Sequence, residues 1–197
     1  MPRKIRKKEI KEDNYAKCWV YIKESKNYFW IILALFLISS LVGVLFPVFF
    51  QEYIQKLIEN LVKKTTGMSF FQLLFFILQN NVMTSFIGLL SGLILGLVPL
   101  LLVLFNGYVL GYVTGKVVGV EGIGVLFRLL PHGIFELPAL VLSLGLGLKM
   151  ARFIFNKNPG KQLAYDLENS LRVFLFVIIP LLLIAGLIEA GLIFILG

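Results

Sequence analysis

The chain has 197 residues, of which 58% are hydrophobic, 14% aromatic and only 15% charged, and its mean hydropathy is +0.90. Soluble globular domains run near half apolar and about a quarter charged, so this composition excludes the soluble-enzyme, disordered and fibrous classes and marks a membrane protein. The formal net charge of +8 falls mostly beside apolar runs, where anionic lipid and control of topology account for it, so nucleic acid is not an expected partner.

Residues 1–29 carry nine Lys or Arg against four acids. Tyr15, Trp19 and Ile22 recur at helical spacing, which predicts a basic amphipathic arm lying on the headgroups. Cys18, the single cysteine of the chain, allows no internal disulfide and reads as an interfacial residue. Residues 30–50 lack charge and are long enough for a first span. The run ends in Phe49, Phe50, Gln51 and Glu52 instead of a small-residue cleavage site, so it is expected to stay attached. In 51–66, Ile54, Leu57, Ile58, Leu61 and Val62 share one helical face opposite Glu52, Lys56, Glu59, Lys63 and Lys64, the pattern of an interfacial helix. Residues 70–78 are apolar but too short to cross, which predicts a shallow or re-entrant segment before Asn80 and Asn81.

From Val82 to Thr114 no formal charge occurs. One helix of that length would overshoot a hydrocarbon core of about 30 Å, so the run must fold back. Gly96 and Pro99 are its best breakers, giving spans over 81–97 and 99–118. Spans over 129–153 and 172–196 follow, separated by a polar loop, 156–170, with a turn at Asn158, Pro159 and Gly160. The expected fold is all-α: a polytopic helical membrane protein with an arm, 1–29, and one transmembrane domain, 30–197, of about five spans plus interfacial helices. With the amino terminus inside, fourteen Lys and Arg fall on inner segments and five outside, favouring a cytoplasmic amino terminus and an extracytoplasmic carboxyl terminus in the cell membrane.

Two glycine ladders stand out: Gly88, Gly92 and Gly96, then Gly107, Gly111, Gly115 and Gly119. Four-residue spacing keeps each on one helix face, where another backbone can approach closely. Packing between the two helices of the hairpin is the favoured reading, and a homodimer seam the other. Polarity concentrates in Pro131-His132-Gly133-Ile134-Phe135-Glu136-Leu137-Pro138, where His132 and Glu136 stand one turn apart, and at Glu189 in the fifth span. Counted from the span ends, Glu136 and Glu189 share a level near the outer face, and Asn81 begins its span on that side, so the four side chains can converge on one polar cluster. A histidine with two carboxylates could hold a divalent metal or relay protons, or the cluster could be a structural network bridging helices. Asn106 reads as an interhelical hydrogen bond beside Gly107, and Lys149 and Arg152 as side chains snorkelling to the inner interface. No residue is assigned a catalytic role, since no hydrolase, phosphate-loop or paired-cysteine motif occurs.

These residues resemble the family of the stage II sporulation protein M. The resemblance is carried by Asn80-Asn81 before Gly88, Gly92 and Gly96, by Leu104-Phe105-Asn106-Gly107 with Gly111, by Pro131-His132-Gly133 through Glu136-Leu137-Pro138-Ala139 with Gly145 and Gly147, and by Ala185, Glu189 and Ala190. It covers roughly residues 75–195 and leaves the arm unmatched. Ala185 and Gly186 stand where the family usually has two alanines. The resemblance implies a multispanning protein with these polar elements in its membrane core. It implies a member that, in endospore formers, acts with cell-wall-degrading partners, a role not carried over here because many relatives occur without sporulation. The functional expectation is a non-enzymatic scaffold in the bilayer that recruits other membrane or envelope proteins, with a homo-oligomer as a further partner. The alternatives are a small-solute or ion transporter subunit built on His132, Glu136 and Glu189, and an intramembrane hydrolase requiring a bound metal.

Overall fold

The computed structural model describes residues 13–196, with the side chains of all of these except 125–132 and 196. Asp13 accepts a hydrogen bond from the Tyr15 N–H at 2.9 Å and starts α1, Asn14–Glu24. Ser25 then bends the chain, its hydroxyl donating to the Tyr21 carbonyl at 2.6 Å, and α2, Lys26–Leu45, begins. After α2 come α3, Gln51–Thr65; α4, Phe70–Leu90; α5, Leu97–Glu121; α6, Leu126–Met150; α7, Pro159–Val173; and α8, Ile179–Leu196. No strand occurs among the described residues. Five helical segments are long and apolar enough to cross a membrane: Lys26–Leu45, Phe70–Leu93, Leu97–Glu121, Gly133–Phe155 and Pro159–Ile195. The protein is a helical membrane protein.

Two expectations are corrected. Residues 70–78 are not re-entrant; they form the first half of α4. Ser69 and Gln72 make a capping box at its start, and neither Gly nor Pro interrupts the chain before Gly88, so Asn80 and Asn81 sit inside the helix. Residues 156–170 are not mainly a loop, because Pro159 at the first helical position starts α7. Helix α7 runs into α8 through a π-helical segment, Phe174–Ile178. Pro180 explains that joint: it has no N–H for the Phe176 carbonyl, and its ring would collide with it in a regular α-turn. The fold-back between α4 and α5 falls where Gly96 predicts it, with Leu95 and Gly96 both left-handed (φ 54° and 72°) and Pro99 in the first turn of α5.

The spans alternate in direction. We call the end of the bundle that carries α1 the arm side. Helices α2, α5 and α8 leave it, α4 and α6 return to it, α7 lies across it, and α3 lies at the opposite end. The closest packing is between α2 and α5, which run parallel. A Cβ on Gly107 would meet Phe36 and Ser39, one on Gly111 would meet the Ser40 backbone, and one on Gly115 would touch Val44 at 3.5 Å. The other ladder faces α6, where a Cβ on Gly88 would meet Leu144, one on Gly92 the Gly147 backbone and one on Gly96 the Ala151 side chain at 2.8 Å. Each ladder therefore receives a helix other than its hairpin neighbour. Small residues on both partners, Ser39, Ser40 and Gly43 on α2 and Gly145 and Gly147 on α6, let these particular backbones approach. At the opposite end Tyr108 fastens the α2–α3 turn: its hydroxyl accepts from the Phe49 N–H at 3.0 Å and lies 2.9 Å from the Phe46 and Phe49 carbonyls. That satisfies backbone groups that lipid cannot.

Candidate functional site

Glu136 lies ten residues after the start of α6 and Glu189 seven before the end of α8. At about 1.5 Å per residue these are depths of roughly 15 and 10 Å from the opposite end, one helical turn apart. Helices α6 and α8 pack along one another. The two half-buried carboxyl groups are within electrostatic reach of each other. His132 has its backbone in α6 one turn before Glu136, but its side chain lies outside the described residues, and with it the metal set His132, Glu136 and Glu189. Among the described residues, no group of three or more His, Cys, Asp or Glu side chains could hold a metal ion. Asn81 is brought near this level by register. The Ser143 hydroxyl donates to the Ser85 carbonyl, so Asn81, one turn earlier on the parallel helix α4, lies opposite the turn following Glu136. Its amide oxygen accepts from Asn80 at 3.4 Å. Asn106 differs from expectation. Its amide donates to the Leu102 carbonyl at 2.8 Å, within its own helix, because Gly107 and Gly111, not Asn106, form the face against α2.

Two carboxyl groups on facing helices in a low-dielectric interior can share one proton or one cation, and neither is cheaply ionised alone. Coupling of that kind gives a measurable expectation. Glu136→Gln with Glu189→Gln should cost less in unfolding stability than the sum of the two single substitutions, by about 1 kcal/mol. Strict additivity in a double-mutant cycle would assign the residues separate roles.

A second polar cluster, which the sequence reading missed, lies on the arm side. Lys149 at the end of α6 is 1% exposed; its ammonium donates to the Ser25 hydroxyl at 2.8 Å and sits 3.5 Å from the centroid of the Tyr21 ring. Asp166 on α7 is wholly buried. Its carboxylate accepts from the Tyr21 hydroxyl at 2.9 Å, from Gln162 at 2.8 Å, and from the Arg152 Nε and Nη2 at 3.2 and 3.3 Å. The Ser170 hydroxyl lies 3.3 Å from the Tyr21 oxygen, and Glu24 stands 3.9 Å from Lys149. Burial pushes the Tyr21 phenol above its ordinary pKa, so it stays protonated and available as a donor.

Lys149 and Arg152 therefore do not snorkel: α7 crosses the bundle end and presents a carboxylate at the place where water would otherwise be. The readable signal was the stripe Asp166, Asn169, Ser170 and Val173, spaced at i, i+3, i+4 and i+7, all four of which are buried. Helix α7 turns a polar face inward, the reverse of an ordinary amphipathic helix. Cys18, expected at the interface, is also buried, packed with Tyr21 into a cluster containing Leu89, Leu146, Met150, Phe174, Ile178 and Leu182.

With both clusters in place, the comparison with known families is decisive. A family model described as Stage II sporulation protein M matches residues 27–192. The chain belongs to that family. No curated protein and no solved structure gives a match. The matched stretch takes in the whole bundle, including α2, both glycine ladders, Glu136, Glu189, Lys149, Arg152 and Asp166. It begins two residues after Ser25, so the partners that α1 brings to the arm-side cluster, Tyr21 and Ser25, stand outside the stage II sporulation protein M match.

Proposed function

We propose that this chain is a non-enzymatic membrane scaffold that recruits or anchors another membrane or envelope protein. The observation that carries this reading is the way α3 is displayed. Only Ile54 of its fifteen residues is fully buried, packed on Tyr108 and Tyr112. Glu52, Lys56, Glu59, Lys63 and Lys64 point away from the bundle, beside a shallow open depression lined by Val48, Phe50, Gln51, Glu52, Tyr53 and Lys56. A charged helix held by a single anchor offers a surface instead of enclosing a substrate. Affinity purification of the natively expressed chain from mild detergent should recover an envelope protein, and charge reversal at Lys56 and Lys63 should reduce that recovery. Repeated isolation of the chain alone would count against the scaffold.

The Glu136 and Glu189 pair supports a second reading, a transporter or ion-pathway subunit. Proton-dependent flux in liposomes that Glu136→Gln abolishes would establish it over the scaffold.

The orientation belongs to the same proposal. The charge asymmetry places the arm side in the cytoplasm and α3 outside. In a Cys18→Ser background, Lys63→Cys should react with an impermeant thiol reagent in intact cells and Lys161→Cys should react only after permeabilisation, both positions being exposed. The opposite pattern would invert the assignment.

A further inference from the structure

Helix α1 does not pack like the rest of the bundle. Two of its eleven residues are buried, Cys18 and Tyr21. Tyr15, Trp19 and Val20 are largely exposed and suited to the headgroup region. Cys18 and Tyr21 plug the arm-side end of the interior shared by α4, α6, the π-helical segment and α8. That interior also contains Ala139 and Leu182, and Ala139 lies one turn from Glu136 on the same helix. The contacts that fix α1 in place are largely polar: the Tyr21 hydroxyl on Asp166, the Lys149 ammonium on the Ser25 hydroxyl and the Tyr21 ring, and Tyr165 on Glu24 at 3.4 Å. Polar contacts of this type can be exchanged for water or lipid headgroups, whereas apolar plugs in a bundle core cannot. Asp13 caps the helix from within its own segment, so α1 remains a helix when undocked. Ser25, at the bend between α1 and α2, is the hinge.

We infer that α1 is a releasable strap, hinged at Ser25 and latched through Tyr21 to Asp166 and through Lys149 to Ser25, that closes the arm-side end of the α4, α6 and α8 interior. Two independent features support it: the latch joins α1 to α6 and α7 by side chains that are polar on both sides, and the family match begins beyond the hinge. The strap stands whether or not the chain is a scaffold. In the closed state the way from the arm side towards Glu136 and Glu189 is blocked by Cys18 and Tyr21; in the released state Lys149, Arg152 and Asp166 face water and the π-helical segment is uncovered.

Cys18 makes the test direct, since it is the only thiol in the chain, it is 1% exposed under the strap, and burial holds its pKa above the ordinary value. Release would both expose it and restore its thiolate fraction. The measurement is the rate of N-ethylmaleimide labelling of the full chain in detergent or liposomes, with helix content and monodispersity monitored in parallel. Wild type should label slowly. Asp166→Asn should label about tenfold faster, as expected when a charged, buried hydrogen-bond acceptor is weakened and a local opening becomes commoner. Tyr21→Phe, which keeps the ring and removes only the latch hydroxyl, should label faster in the same sense. Rates within about twofold of wild type in both folded variants would overturn the strap, given that hydrogen bonds to charged groups are worth more than that. So would wild-type labelling as fast as an unstructured peptide thiol, or failure of both variants to fold, since a releasable strap cannot be required for the bundle to form.

Discussion

Asp166→Ala should be the most damaging single substitution on the arm side, lowering unfolding stability by about 3–5 kcal/mol, the range for removing one partner from a buried ion pair. Three donors lose their acceptor together: the Tyr21 hydroxyl, the Gln162 amide and the bidentate Arg152 guanidinium. Lys149, 1% exposed, also loses the anion nearest its side of the cluster. Asp166→Asn retains an acceptor and should cost about 1–3 kcal/mol. The double substitution Asp166→Leu with Arg152→Met should recover much of the loss, because exchanging a buried pair for apolar groups of similar size removes the unpaired charge along with its partner. Denaturation of the purified protein in a mixed micelle series gives all three values. Equal stability of wild type and Asp166→Ala would show that water reaches the cluster and that the buried network contributes nothing net.

What could and could not be read from the sequence follows from the range of the interactions involved. Spans are set by local apolar length, so Lys26–Leu45, the break at Gly96 and the last two apolar runs were all legible. Asn80 and Asn81 misled because two polar residues resemble a boundary, yet a helix already capped at Ser69 carries them at little cost once neighbours shelter them. Lys149 and Asp166 are seventeen positions apart and meet only because α7 folds back across the bundle end, information that no periodicity contains. Tyr21 is further still from its acceptor, with a separation of 145 residues. Pairing of Glu136 with Glu189 was more accessible, since both belong to spans whose directions and depths can be counted. The glycine ladders were visible, but their partners were not: four-residue spacing identifies a close face without saying which helix meets it.

Substitutions along one ladder should separate sharply for that reason. Gly111→Ala places a methyl group against the Ser40 backbone, and Gly107→Ala places one against Phe36 and Ser39. Backbone atoms cannot rotate out of the way, so α2 and α5 must move apart over their closest contact. The expected loss is about 2–3 kcal/mol for either, at the upper end of overpacking penalties because close backbone contact is the main attraction between helices in lipid. Gly119 continues the same ladder, yet a Cβ there meets nothing within 4 Å. Gly119→Ala should therefore be neutral, or stabilising by up to about 1 kcal/mol through helix propensity alone. A seam between two copies of the chain that used the whole ladder would not respect that boundary, since its partner would contact Gly119 as readily as Gly111. Unfolding measurements on the three alanine variants, repeated over a range of protein-to-detergent ratios, decide the matter. A steep loss at Gly107 and Gly111, none at Gly119 and no dependence on concentration identifies α2 as the ladder's partner. A concentration-dependent loss at Gly119 would assign that face to a second copy.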